Sequence, residues 1–168
     1  KQQLTRAQLC VMLARALNVT ATRLDQFSDV GFDAWYADGV NAMAELGLVN
    51  GVGGGRFNPE GVLTTEEFLT IMGRTARYLN FALDEYAEDV EDPAARLPLG
   101  MQLGLSPFSD WARSSVAVLA WGLEDALGGR GNMLYTSLGS ITPSAPVLRE
   151  EAAAGMYAVL AGLDILPS

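Results

Sequence analysis

Histidine is absent from the 168 residues, and cysteine occurs once, as Cys10. The first absence removes Ser-His-Asp and Cys-His catalysis and the commonest zinc ligand. The second excludes an internal disulfide, and one cysteine says little about redox compartment. Positive charge is also scarce: 11 Lys and Arg stand against 20 Asp and Glu, a net charge of −9. General affinity for nucleic acid needs dense Lys and Arg to displace counterions, so nucleic acid is not an expected partner. No apolar run reaches the roughly 18–20 residues of a membrane span. Lys1 opens the chain without an apolar export segment, as a mature domain would.

What is present reads as globular and repetitive. Apolar residues make up 49% and charged residues 18% of the chain, enough to build a core. Every periodic segment has helical spacing and no alternating run exceeds a few residues, which predicts an all-α fold with no substantial sheet. Residues 4–17 read as an amphipathic helix with Leu9, Met12, Leu13, Ala16 and Leu17 on one face, opened by Thr5 and Gln8 in capping-box spacing. A second helix is expected from Trp35 to Leu48. The glycines from Gly51 to Gly55 and the Asn58-Pro59 pair then force a turn. Thr64 and Glu67 repeat the capping box ahead of a third helix carrying Phe68, Ile71, Met72 and Ala76, with an end as late as Tyr86.

Residues 84–96 are acidic and, with Pro93, Pro98 and Pro107, read as a solvated connector. A calcium loop would need oxygen ligands at alternate positions around a central glycine, and that spacing is missing. The cycle restarts at Phe108-Ser109-Asp110, with Trp111 leading a helix to about Gly122. Gly128, Gly129, Arg130 and Gly131 stand in place of the earlier glycine turn, and Arg149-Glu150-Glu151 opens a final helix with Met156, Val159 and Leu160.

Aligned, the helix starts are LTRAQ (4–8), LTTEE (63–67) and VLREE (147–151), and FSD occurs at 27–29 and 108–110. This constellation resembles the S-layer homology (SLH) family, whose repeats run from F-x-D through a Trp-led helix and a G-x-G-G-x-F-x-P turn to I-T-R-A-E and a closing helix. The middle repeat matches nearly throughout. Repeat one is represented by its second half only, Thr65 replaces the motif Arg in repeat two, and Leu148 replaces the motif Thr in repeat three. The resemblance divides the chain into the second half of repeat one (1–26), repeat two (27–80), an acidic connector (81–107) and repeat three (108–168). It implies repeats packed as a three-pronged, pseudo-threefold helical spindle. It also implies a non-catalytic module on the bacterial cell surface, holding an exported protein to a secondary cell-wall polysaccharide that bears pyruvyl ketals. No cofactor or metal is expected, and a monomer is favoured. The competing reading is a degenerate module that serves protein interaction or layer assembly without sugar binding. A hydrolase with two carboxylates has nothing to nominate it, since Glu66 and Glu67 point roughly 100° apart on a helix.

The candidate ligand residues each have a structural alternative. Arg6 and Arg149 sit in first helical turns, where the helix dipole disfavours a cation. A guanidinium fork beside free helix-start amides would suit a carboxylate; a surface ion pair is the other reading. Gly53, Gly54 and Gly55 either serve the turn alone or let a sugar approach backbone amides, with Arg56 as a second donor. Gly129 and Arg130 are the counterparts in repeat three. Trp35 is either a packing residue or a stacking platform. Asp29 either accepts sugar hydroxyls or caps its own turn.

Overall fold

Thr5 sets where the first helix begins. In the computed structural model, which describes residues 2–80, 104–122 and 140–163, helix α1 (Arg6–Leu17) opens with a complete capping box. The Gln8 amide donates to Thr5 Oγ1 at 3.3 Å, and the Thr5 amide donates to Gln8 Oε1 at 3.2 Å. Asn18 ends the helix in the left-handed region at φ 53°, as a side chain able to tolerate that conformation does. Its buried face is Ala7, Leu9, Cys10, Leu13 and Ala14. Met12, Ala16 and Leu17, expected on that face, are only half-buried.

The turn of that face follows from α2 (Ala37–Glu45), the helix that α1 packs against. The two cross at Gly39, where an added Cβ would stand 3.0 Å from Val11 Cα. The helix starts two residues later than Trp35 and stops three short of Leu48. Its end is a Schellman arrangement, with the Leu48 amide on Met43 O and the Gly47 amide on Ala44 O. One face of α2 then receives the loop that leads into it. Asp38 accepts from the Ala21 amide, Glu45 from the Thr22 and Arg23 amides, and the fully buried Asn41 from the Gln26 amide. Asn41 also donates to Ala37 O at 2.8 Å, so both ends of its buried amide are satisfied.

The chain divides into two compact units, Lys1–Leu63 and Thr64–Ser168. The division falls inside the 27–80 repeat, at the start of its closing helix. In the second unit α3 (Thr65–Leu79) has the expected capping box between Thr64 and Glu67, and Phe68, Ile71, Met72 and Ala76 are all buried. Helix α4 (Asp110–Ala117) continues as a π-helical turn, Val118–Gly122. It crosses α3 at Gly73, where an added Cβ would meet Ser115 O at 2.5 Å. Glu66, from the first turn of α3, accepts from the Ser109 amide at 3.0 Å and the Ser109 hydroxyl at 3.2 Å. It thereby caps α4 from another helix. Helix α5 (Arg149–Gly162) packs on α3 and buries Ala152, Met156, Val159 and Leu160. Glu151 accepts from the Leu148 amide at 3.1 Å, but Leu148 has no oxygen to return the bond. The capping box is therefore half made.

The described residues hold helices and isolated bridges (Thr5–Val62, Gly53–Arg56, Thr64–Pro146), without a sheet. Among them no helix is long and apolar enough to cross a membrane. The acidic stretch 84–96, the glycines at 128–131 and any extension of α3 beyond Asn80 lie outside the described residues.

Both crossings are expected to reject a methyl group. Alanine favours a helix over glycine by about 1 kcal/mol, yet at Gly39 and Gly73 the neighbour is backbone, which cannot swing aside. Overpacking of this kind costs about 1–3 kcal/mol. Gly39→Ala and Gly73→Ala should each lower the denaturation midpoint, Gly73→Ala by more, and a rise in either would show the crossing to be loose. Leu148→Thr should do the reverse, completing the box with Glu151 and adding up to about 1 kcal/mol; an unchanged midpoint would mean that the lost Leu148 burial cancels the cap.

Candidate functional site

The glycine turn is built on one buried residue, Phe57. Its ring is fully buried and packs at 5.2 Å from the ring of Phe27, the first residue of the F-S-D start. Gly51 allows that approach: a Cβ there would lie 3.0 Å from the Phe27 ring and 2.6 Å from Arg56 O. The turn closes with the Val52 amide on Arg56 O at 2.8 Å and the Arg56 amide on Gly53 O at 3.2 Å. Between them Gly53, Gly54 and Gly55 take φ of 98°, 60° and 69°. Open space surrounds all three, so glycine is required here for backbone conformation and not for lack of room. The result is an exposed backbone arch without side chains.

Three groups hold this arch from below. Ser28 donates its amide and its hydroxyl to Gly55 O, at 2.9 and 3.2 Å. Asp29 receives the Phe57 amide on Oδ1 at 2.7 Å and the Asn58 amide on Oδ2 at 2.8 Å. Burial works to raise the Asp29 carboxyl, but these amide bonds and the charge of Arg56 outweigh it and leave the group below the usual carboxylate range. Arg6 reaches across from α1. Its Nε donates to Phe57 O at 2.9 Å and its Nη2 to Asn50 O at 2.7 Å, with the guanidinium carbon 4.5 Å from the centroid of the Phe57 ring.

The amides at the start of α1 are not free for an anion. The Arg6 amide donates to Gly61 O and the Ala7 amide to Pro59 O, both at 2.9 Å. The same clasp recurs in the second unit, where the Thr65 amide donates to Ala145 O at 2.8 Å and the Glu66 amide to Pro143 O at 3.0 Å. The expected anion seat on the α1 start is thus filled by the chain's own loop carbonyls. Thr65, which stands where the motif has Arg, uses its hydroxyl on Ala145 O at 3.0 Å instead.

The structure brings together Arg6, Asp29, Gly53, Gly54, Gly55 and Arg56 in the first unit. Arg56 is exposed, with its charge facing Asp29. Trp35 is 62% exposed and stands edge-on to Tyr36, so it is no core residue. Phe32, three residues earlier, is more exposed still. Arg149 is exposed at the start of α5 in the second unit. Gly129 and Arg130 lie outside the described residues. At the second F-S-D, Asp110 does not brace a turn among the described residues; it pairs with Arg113 at 2.7 Å. Phe57, Ser28 and Asn50 were not among the candidates from sequence. Phe57 alone carried a signal there, as the one apolar residue between the glycines and Asn58-Pro59.

Comparison with known proteins places this repeat in a family. Residues 26–69, which hold the F-S-D start, α2, the glycine turn and the start of α3, match the S-layer homology domain. The chain is 30% identical over 163 residues to an amylopullulanase of Thermoanaerobacterium thermosulfurigenes, covering 93% of this chain and 7% of that protein. It is 24% identical over 165 residues to a surface-layer 125 kDa protein of Lysinibacillus sphaericus, covering 98% of this chain and 12% of that one. The chain therefore spans only a small part of the length of either relative. Residues 26–69 of this chain are thus an S-layer homology domain.

Proposed function

We propose that this chain is a non-catalytic module that anchors an exported protein to the bacterial cell wall by binding a secondary cell-wall polysaccharide. The family assignment supports the anchoring role, and so do the relatives: one is named as a surface-layer protein and the other as an enzyme of which this segment is a small fraction. Catalysis, where the parent protein has any, belongs to other parts of it.

The observation that carries the reading is the bare arch of Gly53, Gly54 and Gly55, exposed to solvent and fixed from beneath. An arch without side chains lets a sugar ring lie against peptide groups, and its rigidity keeps ordering entropy low on binding. Arg56 at its foot supplies a cation for the carboxylate of a pyruvyl ketal, in a protein whose overall field repels anions. Trp35, exposed on the same repeat, is a face on which a sugar can stack. In the second unit Arg149, exposed at the start of α5, is a further cation for that carboxylate, and Gly129 and Arg130 are candidates on sequence grounds.

One observation favours a second reading for that unit. Thr65 replaces the arginine that clamps the first turn, so this repeat has the clasp but lacks the clamp. A repeat so altered fits a protein-interaction role.

Calorimetric titration with pyruvylated and pyruvyl-free wall oligosaccharide tests the proposal. A charge-assisted hydrogen bond of about 1.5 kcal/mol, the lower end for an exposed group, corresponds to about tenfold in affinity. Arg56→Ala and Arg149→Ala should each weaken binding of the pyruvylated ligand by about that factor and leave the pyruvyl-free ligand unaffected. Lysine at either position should restore part of it, since charge returns without the planar fork. Equal binding of the two oligosaccharides would remove the carboxylate contact. Failure of the protein to bind wall sacculi from which only proteins were stripped would bring the interaction reading forward.

A further inference from the structure

Resting on that reading of the glycine turn as ligand surface, we propose that Arg6 and Asp29 are positioning residues that hold the Phe57 peptide from both ends. Neither of them is the ligand's carboxylate or hydroxyl partner. From sequence, Arg6 is a candidate for the ligand's carboxylate by its place in a first helical turn, and Asp29 either accepts sugar hydroxyls or caps its own turn. The geometry assigns them to the turn itself. Phe57 is the last residue of the arch, and the two polar groups of its main chain have separate owners. Its N–H donates to Asp29 at 2.7 Å, and its C=O accepts from Arg6 at 2.9 Å. The guanidinium of Arg6 lies over the same residue's ring. Its second donor goes to Asn50 O, on the entering limb of the arch, so one planar group ties entry and exit together. Asp29 likewise uses both oxygens on successive amides, those of Phe57 and Asn58.

The choice of charged groups has a physical reason. Three consecutive glycines at positive φ give up more conformational freedom on ordering than any other residues would. Neutral hydrogen bonds offset little of that; bonds to ionised partners are roughly twice as strong. Arg6 also ties the site to α1. The turn of one repeat is set by the closing helix of the repeat before it, which is why the compact unit ends at Leu63 and not at a repeat boundary.

Ligand-free measurements separate bracing from ligand contact. The readouts are amide resonances of Gly53, Gly54 and Gly55 and hydrogen exchange of the Phe57 and Asn58 amides, in the full chain without sugar. Arg6→Ala should move the three glycine resonances and speed exchange at Phe57. Asp29→Asn should speed exchange at Phe57 or Asn58, since a carboxamide offers one acceptor oxygen where two are used. Arg6→Lys should restore the pattern in part. In the wild type these amide resonances should titrate with Asp29, whose charged neighbours are Arg56 and, across Phe57, Arg6. The folded carboxyl lies below its unfolded value of about 3.9, so the brace is complete above that pH and is released as pH falls through the lower folded value. Asp29→Asn should abolish the titration.

Affinity then distinguishes the roles. If Arg6 is a brace, Arg6→Ala weakens pyruvylated and pyruvyl-free oligosaccharide by the same factor, about tenfold. The proposal is overturned if Arg6→Ala leaves the ligand-free turn resonances in place and its loss is confined to the pyruvylated sugar. It is overturned for Asp29 if the Phe57 and Asn58 amides exchange at wild-type rates in Asp29→Asn. Should Arg6→Ala not fold, the lysine and asparagine variants decide by the same resonances. Should the wild type bind neither sugar, the anchoring proposal fails while the ligand-free resonances still decide the brace.

Discussion

Everything at the candidate site depends on one buried peptide group. The amide and carbonyl of Phe57 are each held by an ionised side chain, Asp29 on one side and Arg6 on the other, while its ring is locked against Phe27. A glycine arch has no side chains with which to hold itself, so its order must be imposed through the main chain. Backbone donors and acceptors are the available handles, and charged partners grip them hardest. The acidic composition of the chain sharpens this choice. Arg6, one of 11 positive residues, is placed in the first turn of a helix against the dipole, with its guanidinium drawn off to the turn carbonyls.

The clasp between helix starts and loop carbonyls is the second constraint. Each α-helix leaves its first amides without intrahelical partners. In α1 those of Arg6 and Ala7 find Gly61 O and Pro59 O, and in α3 those of Thr65 and Glu66 find Ala145 O and Pro143 O. The spacing is the same in both units: Pro59 and Gly61 precede Leu63 by four and two residues, as Pro143 and Ala145 precede Val147. It also explains why capping boxes and loops recur together: the Thr of the box satisfies the third helical amide, and the loop satisfies the first two. The first amides of α1 and α3 are thereby taken up by the chain itself, while the arch of Gly53, Gly54 and Gly55 stays exposed.

Tight crossings at Gly39 and Gly73 complete the frame, one in each unit. Gly39 lies in the first turn of α2 and Gly73 in the middle of α3, each at a propensity cost that close backbone approach returns. Glu66 shows the same economy with polar groups. It lies one residue after the motif position held by Thr65, and its carboxylate caps a different helix, at Ser109.

Local pattern determined much of this protein. Helical periodicity and the absence of alternating runs gave an all-α chain, Thr5-Gln8 and Thr64-Glu67 marked two helix starts to the residue, and the repeated F-S-D and glycine turns carried the family. These are readable because capping and turn formation involve residues three or four apart, within reach of a sequence pattern. Of the α1 face read from the period, Leu9 and Leu13 are buried while Met12, Ala16 and Leu17 are only half-buried, because the period fixes that a face exists and the partner, here Gly39 on α2, fixes where it lies. The role of Arg6 was invisible for the same reason: its acceptors, Asn50 and Phe57, lie 44 and 51 residues away. Asp29 and its amides are 28 and 29 residues apart. Sequence placed a cation, a carboxylate and three glycines on the page. Only the tertiary structure could join them, because hydrogen-bond partners of a bare backbone leave no mark in the residue types that supply them.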